Sequence, residues 1–418
     1  MALFSLDMTA LAASPIIRVW QHRDYALFMS GIGPHYVTGW MQRFGVGYLA
    51  WELSHSPAWL GAVAAADLAP MMLIAPFAGA IVDRWDPIKQ IKLALLAVLM
   101  HAVVLAGLTL AGYMTIELLF AVTLVNGLLM PVYNAARTTI VPACVPRSDF
   151  PSAISLDSSF FHGSRFVGPL LAALIIREWN VGAAFLAHVV GVLFFICQLF
   201  RMRVAAPVRA KSTSNLLQDV TDGLSYIRRH PGIFPLFMLM TMASIAARPL
   251  QDFLPGFNGT VFMGGPDGLA WLTAGMGIGA MIGATWIAMR GHANGLTYLV
   301  ILSAIGLGVS MFGFVSTKSL LLAAVFGGWS GFTLTVMATG ISALTQLAVP
   351  DDMRGRVMSL FAMIYRGVPA IGALSIGFAA EVVGLRTAFT VAAVVCVAVW
   401  LVLARMHEQV DVAMQDRR

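Results

Sequence analysis

The chain has 418 residues, of which 59% are hydrophobic and only 11% charged, against about 25% charged residues in soluble domains. That much apolar surface cannot hide in a water-soluble core, since single cores stop growing near roughly 300 residues; a bilayer accommodates it, and the expectation is an all-α membrane protein. The net charge of +6 is carried by short loops rather than a continuous stripe, which argues against a nucleic-acid partner.

Ala12, Ala13, Ser14 and Pro15 read as a flexible lead-in, and no basic start precedes an apolar run, so no cleaved signal peptide is expected. A crossing helix needs about 20 mostly apolar residues. Six such stretches follow at 24–52, 57–82, 90–112, 115–142, 152–177 and 180–200. The stretch from Arg201 to Pro231 is more polar. Within it Leu216, Val220, Leu224 and Ile227 recur at helical spacing with polar residues opposite, which predicts an amphipathic helix at the membrane surface. Six more apolar stretches lie at 233–258, 267–290, 294–316, 318–348, 353–381 and 384–405. The reading is twelve transmembrane helices in two six-helix bundles, 1–200 and 233–418, joined by a linker over 201–232.

Of the 26 Lys and Arg residues, Arg177, Lys318 and Arg386 fall on the side opposite the linker, and Arg43, Arg165, Arg248 and Arg366 fall inside spans. The rest lie on the side of the linker and both termini, which the positive-inside rule places in the cytoplasm. Val145-Pro146, Ser155-Leu156, Gly163, Gly168, Leu170 and Ala184-Phe185 recur at Val349-Pro350, Ser359-Leu360, Gly367, Gly372, Leu374 and Ala388-Phe389, at one constant offset of about half the chain. Parallel repeats of this kind build transporters, with the substrate site between them near mid-bilayer. Cys144, Cys197 and Cys396 are far apart with no metal-ligand spacing, and no Gly-x-x-x-x-Gly-Lys-Ser/Thr loop is present. Neither a metal, a cofactor nor ATP is expected, and no catalytic motif points to an enzyme.

Several segments resemble the major facilitator superfamily, in particular its enterobactin-exporter-like branch of siderophore and multidrug efflux proteins. They are Gly39-Trp40-Met41-Gln42-Arg43 in the first span, the outer loop from Trp51 to Pro57, Gly79 through Asp83-Arg84 to Asp86, the fifth-span run from Ser152 through Arg165 and Gly168-Pro169, the linker run from Gly223 to Pro231, and Gln346 through Arg354-Gly355-Arg356 to Ser359. The resemblance covers nearly the whole chain. It implies proton-coupled export of a small amphipathic molecule across a bacterial inner membrane, by a monomer. Pro87-Ile88-Lys89-Gln90 departs from the superfamily's usual Arg pair, Asp157 and His162 stand where the branch commonly has Asn, and Asp67 stands where it commonly has a neutral amide. Two rivals keep the scaffold: a proton-coupled importer of an organic anion or nutrient, and a non-transporting membrane sensor.

Ionisable groups inside spans face cavities or one another. Arg43 and Asp67 lie about nine and ten residues from the outer ends of adjacent antiparallel spans, a shared depth of about 14 Å. They form an expected pair, acting either as a proton site or as a static tie; Asp252 is a further proton-coupling candidate. Arg248 and Asp252 are four apart and are expected to share a helix face. Tyr36, Trp40, Arg248, Tyr365 and Arg366 are cavity candidates, favouring an anionic or polar substrate, whereas Arg165 is read as structural. Gly79 permits close backbone approach, and Asp83 suits a helix N-terminus. The resemblance places that terminus at the eleventh span near Arg354 and Arg356, giving a gate of Gly79, Asp83, Arg84, Arg354 and Arg356; the alternative is that Asp83 caps its own turn. Gly275, Gly279 and Gly283 are spaced for a tight helix crossing, and Gly33-Pro34, Gly168-Pro169 and Val368-Pro369 are expected to bend their helices.

Overall fold

A computed structural model describes residues 15–82, 87–138, 140–203, 216–290 and 295–404. Asp83 and Arg84 of the expected gate lie outside the described residues. Gly79 falls within the helix Pro57–Val82.

Twelve crossing segments follow the predicted order. The first six are Arg23–Ser54, Pro57–Val82, Pro87–Leu110, Ile116–Thr138, Phe150–Glu178 and Val181–Arg201. The second set runs from Ile233–Ala246 through Gly265–Arg290, Leu296–Ser316 and Leu320–Ala348 to the paired Asp351–Arg366 and Pro369–Val383, and ends with Leu385–Ala404. Among the described residues, ten segments are long and apolar enough by composition to cross a bilayer. The first falls short because His35, Tyr36, Thr38, Gln42 and Arg43 interrupt it, although its 32 residues extend roughly 48 Å. The twelfth contributes a shorter apolar stretch, Leu385–Ala398.

The prolines fall in two kinds of place. Pro34 and Pro169 sit inside unbroken helices. The break at Val368-Pro369 is real: the N–H of Gly367 closes one helix on the Met363 carbonyl at 2.8 Å, and Pro369 starts the next, where its missing N–H costs nothing. A second break was not anticipated. At Pro249 the seventh span gives way to a 3₁₀ turn, Arg248–Gln251, then Leu254–Phe257 and a π turn, Asn258–Phe262. Arg248 and Asp252 therefore do not share one α-helical face.

The lead-in also differs. Pro15 opens a short helix, Pro15–Gln21, anchored where Arg18 Nε and His22 Nε2 meet Asp149 at 2.8 and 2.9 Å. The arginine and histidine beside Asp149, His22 foremost, hold its carboxyl below its ordinary range. The linker helix Leu216–Arg229 forms as expected. It seats Gly223 against Leu360 and the Arg356 carbonyl of the eleventh span and buries Ile227, so that side meets protein, while Leu224 stays exposed.

The repeat seen in sequence is a packing repeat. Gly168 of the fifth span meets Trp40 and Met41 of the first, and Gly372 of the eleventh meets Ile245 of the seventh. The offset relating Gly168 to Gly372 also relates Met41 to Ile245. Gly275, Gly279 and Gly283 face the backbone of Ala324, Gly328 and Phe332, so the tight crossing expected of them is made with the tenth span.

The two halves meet along two seams. In one, the second span packs on the eleventh: a Cβ on Gly61 would collide with the Ala373 carbonyl, and Gly377 abuts Pro57 and Gly61. In the other, Gly277 of the eighth span lies against the backbone of Arg165 and Phe166. Towards the face opposite the linker, Ser56 Oγ donates to Glu381 at 2.7 Å, Arg177 meets Asp267 at 3.3 Å, and Trp51 covers Gly256 and Gly259. Among the described residues, every hydrogen bond between the halves lies at or beyond the level of Arg165 on that opposite side.

Candidate functional site: a central cavity with a three-way ion pair

Between the halves lies a cavity of about 670 Å³. It starts beneath the closed opposite face, near Ala50, Leu60 and Pro255, and reaches Arg137 at the linker-side end of the fourth span. Among the described residues, five arginines and three aspartates line it, with His35, His101 and His162. Charges at this depth persist only when they face water or one another.

The expected Arg43–Asp67 contact is present. Arg43 Nη1 donates to Asp67 Oδ2 at 2.5 Å, and Asn126 Nδ2 holds the other oxygen at 2.9 Å. Arg43 Nη2 also donates to Asp252 Oδ1 at 2.9 Å. Asp252 belongs to the other half, so one guanidinium ties the first, second and seventh spans together. The Pro249 break makes this possible by turning Asp252 away from Arg248. Arg248 lies instead 5.3 Å over the Tyr365 ring.

A second pair sits nearer the linker face. Arg137 Nη1 bonds Asp157 Oδ2 at 3.0 Å and also donates to the Tyr36 hydroxyl, which donates to Asp157 Oδ1 at 2.8 Å. Sequence reasoning grouped Arg137 with the linker-side loops and missed this cluster. Asp157 gave the available signal, as a carboxylate inside an apolar span.

Tyr36, Trp40, Arg248, Tyr365 and Arg366 all line the cavity as expected. Arg165, read as structural, also lines it; it lies 5.1 Å over Trp40, and its Nη2 reaches Gln251 Oε1 across the halves at 3.3 Å. Of the expected gate, Arg354 pairs locally with Asp351 at 2.6 Å, and Arg356 pairs with Asp219 and Asp222 of the linker helix at 2.7 and 3.4 Å. Both are thus engaged within the linker and C-terminal half.

A dozen crossing helices in two related bundles around a charged central cavity define a secondary transporter, not an enzyme. Residues 27–416 match the family described as "Transmembrane secretion effector", and the chain belongs to this family of the major facilitator superfamily. It is similar to the staphyloferrin A transporter of Staphylococcus aureus, at 20% identity with 91% of this chain and 96% of that protein covered. It is equally similar to macrolide efflux protein A of Streptococcus pyogenes, at 20% identity with 93% and 97% covered. Among solved structures, the nucleoside transporter NupG superposes with a TM-score of 0.72 at 14% identity, covering 92% of this chain and 98% of that one, a likeness of fold.

Proposed function

We propose that this protein is a proton-coupled exporter of a small amphipathic molecule, working by alternating access in a bacterial inner membrane as a monomer. Residues 1–200 and 233–418 are the two moving bundles, 201–232 is the linker, and the linker and both termini face the cytoplasm. The linker-side excess of Lys and Arg and the efflux relatives support this orientation and direction.

One observation carries the reading: a single guanidinium, Arg43, holds Asp67 of its own half and Asp252 of the other. Two carboxylates against one cation leave an excess negative charge in a poorly solvated place, which one proton neutralises. Both Asp67 oxygens already accept hydrogen bonds, whereas Asp252 has one bond, to Arg43. The proton therefore goes to Asp252. Once the opposite face has opened, a proton entering from that side takes Arg43's place at Asp252, and it leaves to the cytoplasm as the pair, the only one at this depth that crosses between the halves among the described residues, re-forms. The structure with Arg43–Asp252 formed is then the proton-free state, receiving cargo from the cytoplasm. Gly79, Asp83 and Arg84 with Arg354 and Arg356 form the gate on the linker face in the alternate state.

Inside-out membrane vesicles, acidified within, test this. They are expected to accumulate fluorescent amphiphilic probes from a charge-varied xanthene set and to release them on adding a protonophore. Accumulation unaffected by the protonophore, or lost from vesicles of the same orientation but gained in right-side-out ones, contradicts proton-coupled export.

A further inference from the structure

The cavity's eight charges fall into two classes. Its three aspartates are all engaged: Asp67 and Asp252 by Arg43, and Asp157 by Arg137. Arg165, Arg248 and Arg366 have no carboxylate partner among the described residues. The Nε groups of Arg165 and Arg248 are buried with no acceptor. Arg165 comes from the fifth span, Arg248 from the break in the seventh, and Arg366 from the last turn before the break in the eleventh. Two aromatic rings stand among them, Trp40 beneath Arg165 and Tyr365 beneath Arg248. Gathered like charges repel strongly where water is scarce, and cation–aromatic contacts offset only part of that.

We propose that the cargo is an organic anion with at least two acid groups on a planar apolar body, bound by Arg165, Arg248 and Arg366 beside Trp40 and Tyr365. The substrate class rests on the transporter reading above. With five arginines against three aspartates, the cavity carries a formal surplus of two positive charges, which a dianion cancels. Acid oxygens accept the unpaired guanidinium N–H groups in charge-assisted bonds. Arg165 belongs to one half, and Arg248 and Arg366 to the other, so one dianion bridges the halves on the linker side of Arg43. Its bonds shorten as that side closes, and this differential contact is what a substrate needs to drive closure.

The test uses purified full-length protein in detergent and two dyes built on the same xanthene frame, anionic carboxyfluorescein and cationic tetramethylrhodamine methyl ester, followed by fluorescence anisotropy. Carboxyfluorescein is expected to bind about tenfold or more tighter than the cation, with affinity falling as salt is added. Arg165→Gln, Arg248→Gln and Arg366→Gln are each expected to weaken it about tenfold, and the Arg→Lys counterparts to recover part of the loss while keeping the wild-type melting profile. Preference for the cation, equal binding of the two dyes, no binding of carboxyfluorescein, or unchanged affinity in folded Arg→Gln variants overturns the proposal. Binding in detergent needs no proton gradient, so the two readings fail separately. An anion that binds but is not carried by energised vesicles removes the coupling reading alone. A cation carried with the gradient while carboxyfluorescein is ignored removes the anion reading alone.

Discussion

Arg43 and Arg137 share a cavity with Arg165, Arg248 and Arg366, yet the two groups live in opposite circumstances. The first two are clasped by aspartates placed on neighbouring helices; the other three face the cavity without a carboxylate partner among the described residues. A paired charge inside a membrane protein has its solvation replaced by its neighbours and resists removal. An unpaired one keeps its attraction for something that arrives later. The comparison separates the part of the site that holds the halves from the part that holds cargo.

Asp252→Asn is expected to have the largest effect. It keeps shape and removes the cross-half charge, and proton-driven transport is expected to fall roughly 100-fold, equivalent to about 2.7 kcal/mol; vesicle accumulation assays measure it. Next, Arg43→Gln strands Asp67 and Asp252. A fully buried broken pair costs about 3–5 kcal/mol, and cavity water reduces this to about 2 kcal/mol, visible as a lower melting temperature. Adding Asp67→Asn and Asp252→Asn to Arg43→Gln is expected to restore most of the stability. Arg366→Gln should act the other way round, with a stability change within about 0.5 kcal/mol and a clear loss of anion binding. A destabilisation as large as that of Arg43→Gln would erase the distinction between the two groups.

The smallest effect lies outside the cavity, at Asp149. Its carboxyl is lowered by His22 and Arg18, so its contribution is complete above the ordinary carboxylate value of about 3.9 and is lost as pH falls through the lowered value. Melting curves of wild type and Asp149→Asn are therefore expected to differ near neutrality and to converge in strong acid.

Much of this was legible in the chain. Apolar run length fixed the spans, the constant offset gave the repeat, and counting residues from the span ends put Arg43 level with Asp67. What stayed hidden depended on local backbone departures and on distant approach. The Pro249 break, which gives Asp252 to Arg43 instead of Arg248, reads in sequence as an ordinary membrane proline. Arg137 lies at a span end, where charge is unremarkable, and only the fold brings Tyr36 and Asp157 to it. Pro15–Gln21 is too short for periodicity to reveal, and its anchor, Asp149, lies far along the chain. Asp83 and Arg84 lie outside the described residues.

The most direct test is the separation of the halves on the face opposite the linker. Spin labels at the exposed positions Tyr113 and Val382, read by pulsed electron resonance, should report a longer distance in Asp252→Asn than in the wild type, because the variant lacks the Arg43–Asp252 ion pair. An identical distance in wild type and variant would contradict the claim that this ion pair holds the opposite face shut.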